Sequence, residues 1–411
     1  MALDCFGRLR ISEPFTTFNF YCSPLTGNST FNEDQWITNG TNYTLSYNAA
    51  NYISMDVSGT GYVIRQTKVP SEYQPGKSRL IYISCVILAS SSGAGSLNAS
   101  IGIMNTTNST INQGVYFKTE GTTLYWSEKI QTTSTTTTEY NIAQSSWNID
   151  TFNGTGPSGL TLTTANLSQT MILALDQEWL GVGRIRCGFV INGILYYVHQ
   201  FLHNDNSNSV QYTTTPRQYI THYLSSTNMI ISMRQMCCTS ISEGGYLPLG
   251  TRNNISNKLV GIDIPNSSST IGYIALALRI NSSYPNGMIK PIKISIATDV
   301  ASGKMSYYEI QVQTNSSAGS VGSITGTLNY TQLVDSIAEY AIGDSSQRIV
   351  TSGYILDSGY ISSRSDILFT SNDYETLLTR TICSQYDTIY IVVYSNASCS
   401  MFSSLDFIES I

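Results

Sequence analysis

The stretch RIRCGFVINGILYYVHQFLH, residues 184–203, decides the fold. Asn192-Gly193 stands between two apolar runs, and this dipeptide accepts the positive φ angles that both central positions of a type I′ turn require. The spacing predicts one β-hairpin over 184–203. A two-residue turn sets Ile191 opposite Ile194, Phe189 opposite Tyr196, Cys187 opposite Val198 and Ile185 opposite Gln200, a mostly apolar face suited to a core. The other face then carries Arg186 opposite His199 and Arg184 opposite Phe201. Upstream, Met171–Leu175 is a continuous apolar run of the kind a strand buried on both faces needs.

Around this hairpin lies a chain of 411 residues, too long for one ordinary core, so two domains are expected. Only 12% of residues are charged, while Tyr contributes 28 and Ser, Thr and Asn recur throughout, a composition that favours strands. The expected class is all-β: two β-sandwich or jelly-roll-like domains preceded by an extended N-terminal arm. Net charge is −6 and the 21 basic residues are dispersed, which argues against direct nucleic-acid binding. The longest apolar runs, near Ile81–Ala89 and Ile271–Ile280, are about half of what a bilayer demands, so no membrane insertion is expected. No basic-then-apolar leader follows Met1, and the eight cysteines show no Cys-x-x-Cys spacing; buried free thiols in a reducing compartment are the expectation.

In chain order, residues 1–30 mix aromatic anchors with Arg8 and Arg10 and read as a docking arm. Residues 31–250 read as a β-sandwich containing the hairpin, and 251–411 as a second β-rich domain. Within the first, Ser90–Ser100 reads as a Ser/Gly/Ala loop and Thr132–Thr138 as a surface loop or an edge. Within the second, Tyr330–Ile342 is the one helical candidate, with Leu333, Ile337 and Ala341 at i, i+4, i+8; two short strands fit it equally.

Few constellations could carry chemistry. Gln74-Pro75-Gly76-Lys77-Ser78 resembles the end of a phosphate-binding loop, but Ser71 stands where that pattern needs Gly, and Pro75 removes a backbone donor. His199 and His203 have the spacing of a helical zinc pair, yet on a strand they lie roughly 13 Å apart, too far to share an ion. His222 has no acidic neighbour in sequence. Asp176 and Glu178 fit a glycosidase carboxyl pair, roughly 7 Å apart on one strand face, with Trp36, Trp126, Trp147 and Trp179 as a sugar-stacking platform. The favoured alternative is that the two acids close a strand and Trp179 plugs the core. No Gly-x-Ser-x-Gly elbow is present. No catalytic, cofactor or metal site is expected.

Four blocks resemble, in order, a family of virion structural proteins of tailed bacteriophages and large DNA viruses: Asp4-Cys5-Phe6-Gly7-Arg8-Leu9-Arg10-Ile11-Ser12-Glu13-Pro14-Phe15-Thr16, Tyr73–Ser78, Asp176–Phe189 and Ile241–Tyr246. The resemblance implies a non-enzymatic particle component, assembled in the host cytoplasm: a minor or auxiliary capsid protein that bridges or decorates capsomers, or a tail- or fibre-associated glycan-binding adhesin. It implies docking on other capsid or virion proteins, or on further copies of itself, through Phe6, Arg8, Leu9, Arg10 and Phe15, the arginines pairing carboxylates and Phe6 filling a pocket.

Overall fold

The computed structural model describes residues 14–23, 35–131, 136–204, 210–245, 250–265, 271–284, 287–300, 304–315, 322–361, 364–368, 378–379 and 386–410. The protein is all-β, in antiparallel sheets. It divides into two compact units, Met1–Tyr246 and Leu247–Ile411. The break falls four residues before the boundary expected after residue 250. The expected arm is in part a strand of the first unit, since Phe15 lies opposite Ser242 in a sheet.

The first unit contains β1 (Phe15–Phe20), β2 (Trp36–Asn48), β3 (Tyr52–Thr67), β4 (Arg79–Thr107), β5 (Thr110–Glu120), β6 (Thr123–Gln131), β7 (Thr137–Ala143), β8 (Met171–Gln177), β9 (Ile185–Ile191), β10 (Ile194–Phe201) and β11 (Tyr219–Ser242). The long strands β4 and β11 pair with each other and carry two wings. The first part of β4 holds β8, β9 and β10, and its last part holds β5, β6 and β7. The wings face each other across the core: the Phe189 ring lies 5.4 Å from Phe117 and 5.7 Å from Trp126. Burying such rings is worth about 1.5–3 kcal/mol each, which drives the closure.

The Ser/Gly/Ala stretch expected as a loop is the middle of β4, where Ser90–Ser96 pairs with Thr227–Ser232 of β11. Its glycines permit the approach. A Cβ on Gly95 would stand 1.8 Å from the Thr227 carbonyl oxygen, and Gly93, at φ +113°, fits only without one. Thr137 and Thr138 open the exposed strand β7, in keeping with the edge reading.

In the hairpin, Asn192 (φ 52°) and Gly193 (φ 79°) form the expected turn, with Ile191 opposite Ile194 and Phe189 opposite Tyr196. Beyond Tyr197 the register departs from expectation by one residue: His199 faces Cys187, Gln200 faces Arg186 and Phe201 faces Ile185. Val198 is the extra residue of a β-bulge. Its carbonyl accepts the N–H groups of Ile149 (3.1 Å) and Asp150 (3.0 Å), so the bulge seats the incoming segment 147–150.

The second unit contains β12 (Thr251–Ser256), β13 (Ile262–Ile264), β14 (Tyr273–Ile280), β15 (Met288–Thr298), β16 (Ser306–Asn315), β17 (Ser323–Thr325), β18 (Thr331–Gln332), β19 (Ala338–Ile342), β20 (Arg348–Thr351), β21 (Tyr354–Ile361), β22 (Arg364–Leu368), β23 (Leu378–Thr379), β24 (Tyr386–Ser395) and β25 (Cys399–Ser410). One sheet is built on β12-β25-β15-β22 and the other on β17-β20-β14-β24-β16-β21. Between them pack Ile289, Ile294, Met401 and Phe407 from the first, and Leu276, Ile310, Ile391 and Val393 from the second. Of the two readings of 330–342, the structure has the two short strands and not the helix. Thr331 pairs with Tyr340 around a turn in which Asp335 takes φ 54°, and β19 gains a second partner along Leu276–Ile280. Ladder partners on both sides override a weak helical periodicity.

Candidate functional site

Three of the four motif blocks converge at one corner of the first unit. The Tyr73 hydroxyl donates to Glu178 Oε1 (2.8 Å) and accepts the Leu180 N–H (3.1 Å). The turn from Trp179 to Gly183 closes through the Gly183 N–H on the Trp179 carbonyl at 2.7 Å. Leu180 sits there at φ 34° and Gly181 at 77°, and a Cβ on Gly183 would stand 1.7 Å from the Glu178 carbonyl oxygen. The phosphate-loop look-alike is the neighbouring turn. The Lys77 N–H donates to the Gln74 carbonyl, and Lys77 Nζ reaches Gln74 Oε1 (2.9 Å) and the Gly245 carbonyl (3.4 Å). The Glu243 N–H donates to the Ser78 carbonyl at 2.8 Å, which ties in the third block.

The two carboxylates are not presented to solvent; both are 0% exposed. Asp176 Oδ2 is held by Arg186 Nη2 (2.5 Å) and the Tyr197 hydroxyl (2.8 Å), with the Arg186 guanidinium 4.3 Å over the Tyr197 ring. A glycosidase pair must reach the glycosidic oxygen and the anomeric carbon. These two groups instead close strands, the structural alternative named above. The tryptophan platform fails as well: Trp36, Trp126 and Trp147 are buried in the core, and half-buried Trp179 donates its indole N–H to Thr213 Oγ1 at 2.6 Å.

Behind this corner runs a buried polar chain that the sequence did not announce. Arg79 donates to the Ser71 carbonyl (2.6 Å) and to Gln177 Oε1, and Gln177 Nε2 donates to the Tyr212 hydroxyl at 2.8 Å. Burial lowers the Arg79 pKa to about 10, so it stays charged at neutral pH. His203 stacks on Tyr212 with ring centres 3.9 Å apart, donates through Nδ1 to the Gly183 carbonyl (2.6 Å), and meets Glu128 Oε1 through Nε2 (2.7 Å). Arg79, Glu128 and Tyr212 lie on three separate segments, so no sequence spacing links them.

His199 is held apart from His203. Its Nδ1 accepts the Asn148 N–H at 3.3 Å, and burial lowers its pKa to about 4. His222 is fully buried with its ring 5.9 Å from that of Trp36; burial, then the charge of Arg65, lower its pKa to about 3. No group of three His, Cys, Asp or Glu side chains among the described residues could hold a metal ion. The described cysteines are free thiols, all buried except Cys237. Phe6, Arg8, Leu9 and Arg10 of the expected arm lie outside the described residues, and Phe15 is half-buried in β1. No helix among the described residues is long and apolar enough to cross a membrane.

Among the described residues, the exposed aromatic side chains are tyrosines: Tyr21, Tyr140, Tyr354 and, at 71% exposed, Tyr360. The signal available in the sequence was the abundance of Tyr, 28 residues against four Trp.

No family model matches the chain. No curated protein matches it either. Among solved structures, an endo-1,3-β-glucanase from Streptomyces sioyaensis is similar at 10% identity over 56% of this chain and 97% of that one, with a TM-score of 0.36. A protein of unknown function from Shewanella oneidensis MR-1 gives 8% identity over 59% and 92%, TM-score 0.36. A legume lectin-like domain from Entamoeba histolytica gives 10% over 53% and 98%, TM-score 0.29.

Proposed function

We propose that the protein is a glycan-binding adhesin without a catalytic role, carried on a virus particle. The observation that carries the binding part is the distribution of aromatic side chains. Three tryptophans are sealed in the core, and the exposed rings among the described residues are tyrosines, in a chain rich in hydroxyls and amides. A phenol offers an apolar face to a sugar ring and a hydroxyl to its substituents. The pairing of Asp176 and Glu178, each held inside by Arg186, Tyr197 or Tyr73, supports the reading without catalysis. The particle location rests on the resemblance of residues 4–16 and the three later blocks.

A second reading, a capsid component docking through Phe6, Arg8, Leu9, Arg10 and Phe15, draws support from β1. That strand fixes Phe15 opposite Ser242 and so sets the point from which such an arm would leave.

Labelled full-length chain on an array of immobilised glycans tests the first reading, alongside an assay for reducing ends released from the same sugars. Binding without release is expected. An empty array, or release that disappears in Asp176→Asn, would overturn it.

A further inference from the structure

Resting on the glycan-binding reading, we infer that its binding face is in the second unit, across the tyrosine row Tyr360–Tyr307–Tyr394, and that the ligand is a neutral glycan longer than one sugar ring. Tyr307 of β16 lies directly opposite Tyr360 of β21 on one side and Tyr394 of β24 on the other. Directly opposed residues project from the same side of a sheet, so the three phenols form one line across three strands. On this outer side a small apolar cluster, Ile274, Ala277, Tyr390 and Val392, packs under Ile324, Leu328 and Tyr330, with Tyr394 at its rim. Beyond it Tyr307 is half-buried and Tyr360 exposed.

The chemistry selects the ligand. Ring centres are 5.3 Å apart for Tyr307–Tyr360 and 5.9 Å for Tyr307–Tyr394. Those are contact distances, leaving no slot between rings for a quaternary ammonium, so a ligand lies over the row. Two ring-to-ring steps ask for more than one pyranose. The next position along β16 is Glu309, half-buried, with exposed Ser358 opposite. Its Oε2 accepts from the Tyr394 hydroxyl (2.9 Å) and from Gln311 Nε2 (2.6 Å), which fixes the carboxylate beside the row and leaves Oε1 for sugar hydroxyls. β16, β21 and β24 carry Glu309, Asp357 and Asp387 and no Lys, Arg or His, which disfavours anionic sugars, phosphates and sulfates. Tyr394 is positioned by a missing side chain: a Cβ on Gly272 would come within 2.7 Å of its ring carbon Cζ.

The test is titration calorimetry of the full chain with cellohexaose, laminarihexaose, xylohexaose and mannohexaose, with glucose, choline chloride and a heparin hexasaccharide as comparisons. Expected is binding of at least one neutral hexasaccharide, weakened tenfold or more in Tyr360→Ala and in Tyr307→Ala, and twofold to threefold in Tyr360→Phe, which keeps the ring. Unchanged melting curves certify the fold, and exposed Tyr360 makes its variants safe in that respect. Hexasaccharide binding unaffected by both alanine variants would overturn this site and leave the glycan-binding reading standing. An empty glycan array together with no hexasaccharide binding overturns both. Preference for choline or heparin, or a self-association that Tyr360→Ala abolishes without any effect of sugar, overturns the neutral-glycan assignment.

Discussion

Tyr73 and Glu178, 105 residues apart, share a hydrogen bond of 2.8 Å in which the phenol donates to a carboxylate with no solvent exposure. The same phenolic oxygen accepts the Leu180 N–H, so one side chain satisfies both a buried anion and the backbone of the turn that follows it. Tyr73→Phe removes only that oxygen. A buried group deprived of a partner costs about 1–3 kcal/mol, so the variant should lose about 2 kcal/mol in denaturant unfolding. Hydrogen exchange at the Leu180 amide should quicken more than at the amides of β8. Exchange that stays uniform would mean that Tyr73 does not hold the turn.

The ion pair of Asp176 and Arg186 makes a sharper prediction. Arg186 stands opposite Asp176 on the neighbouring strand, and the acid is the more deeply buried partner. Arg186→Met takes this guanidinium from the buried carboxylate and should cost about 3–5 kcal/mol, whereas Asp176→Leu with Arg186→Met should recover much of the loss. Equal stability of the single and double variants would contradict the account.

What the sequence made legible follows periods and turns. Asn192-Gly193 located the hairpin, and counting outward placed Phe189 opposite Tyr196 correctly. The count failed at Val198 because a bulge is dictated by what its carbonyl must accept from residues 149 and 150, which hairpin periodicity does not encode. Ser90–Ser96 was illegible as a strand because it is exposed and carries no alternation; its pairing is set by β11. The site was half legible. The motif blocks marked the corner, but Asp176 and Glu178 could not be told from a catalytic pair until Arg186, Tyr197 and Tyr73 were seen around them. The tyrosine row depends on register between strands far apart in sequence.

Two of the three buried histidines, His199 and His222, should make the fold acid-sensitive. Both have pKa values below the ordinary 6.5, about 4 for His199 and about 3 for His222, because burial disfavours the cation. Above pH 6.5 folded and unfolded chains are both neutral at these sites and no dependence arises. Below it the unfolded chain takes up protons that the folded chain refuses, so stability falls from about pH 6.5 down to about pH 4 for His199 and about pH 3 for His222. Each pH unit of difference weighs about 1.4 kcal/mol per histidine. His222→Phe should therefore flatten the fall in denaturant midpoint between pH 6.5 and 4 relative to the unmodified protein; an identical slope would remove His222 as a cause.

Asn148 tests the bulge that displaced the hairpin register. Its side-chain amide copies a strand: Nδ2 donates to the Gln200 carbonyl and Oδ1 accepts the Gln200 N–H, both at 2.9 Å, while the next two backbone N–H groups converge on the Val198 carbonyl. Asn148→Ala removes the two side-chain bonds at an exposed position, where water replaces them in part, and should cost about 1 kcal/mol. Deleting Val198 removes the bulge and leaves a straight ladder in which His199 keeps its place opposite Cys187. The N–H groups of Ile149 and Asp150 then lose their acceptor, and the segment that brings Trp147 against Phe189 loses its seat. The deletion should therefore cost several times more than Asn148→Ala, and quench or shift the fluorescence of Trp147. A deletion as mild as the alanine variant would show that the bulge is tolerated and does not position the segment.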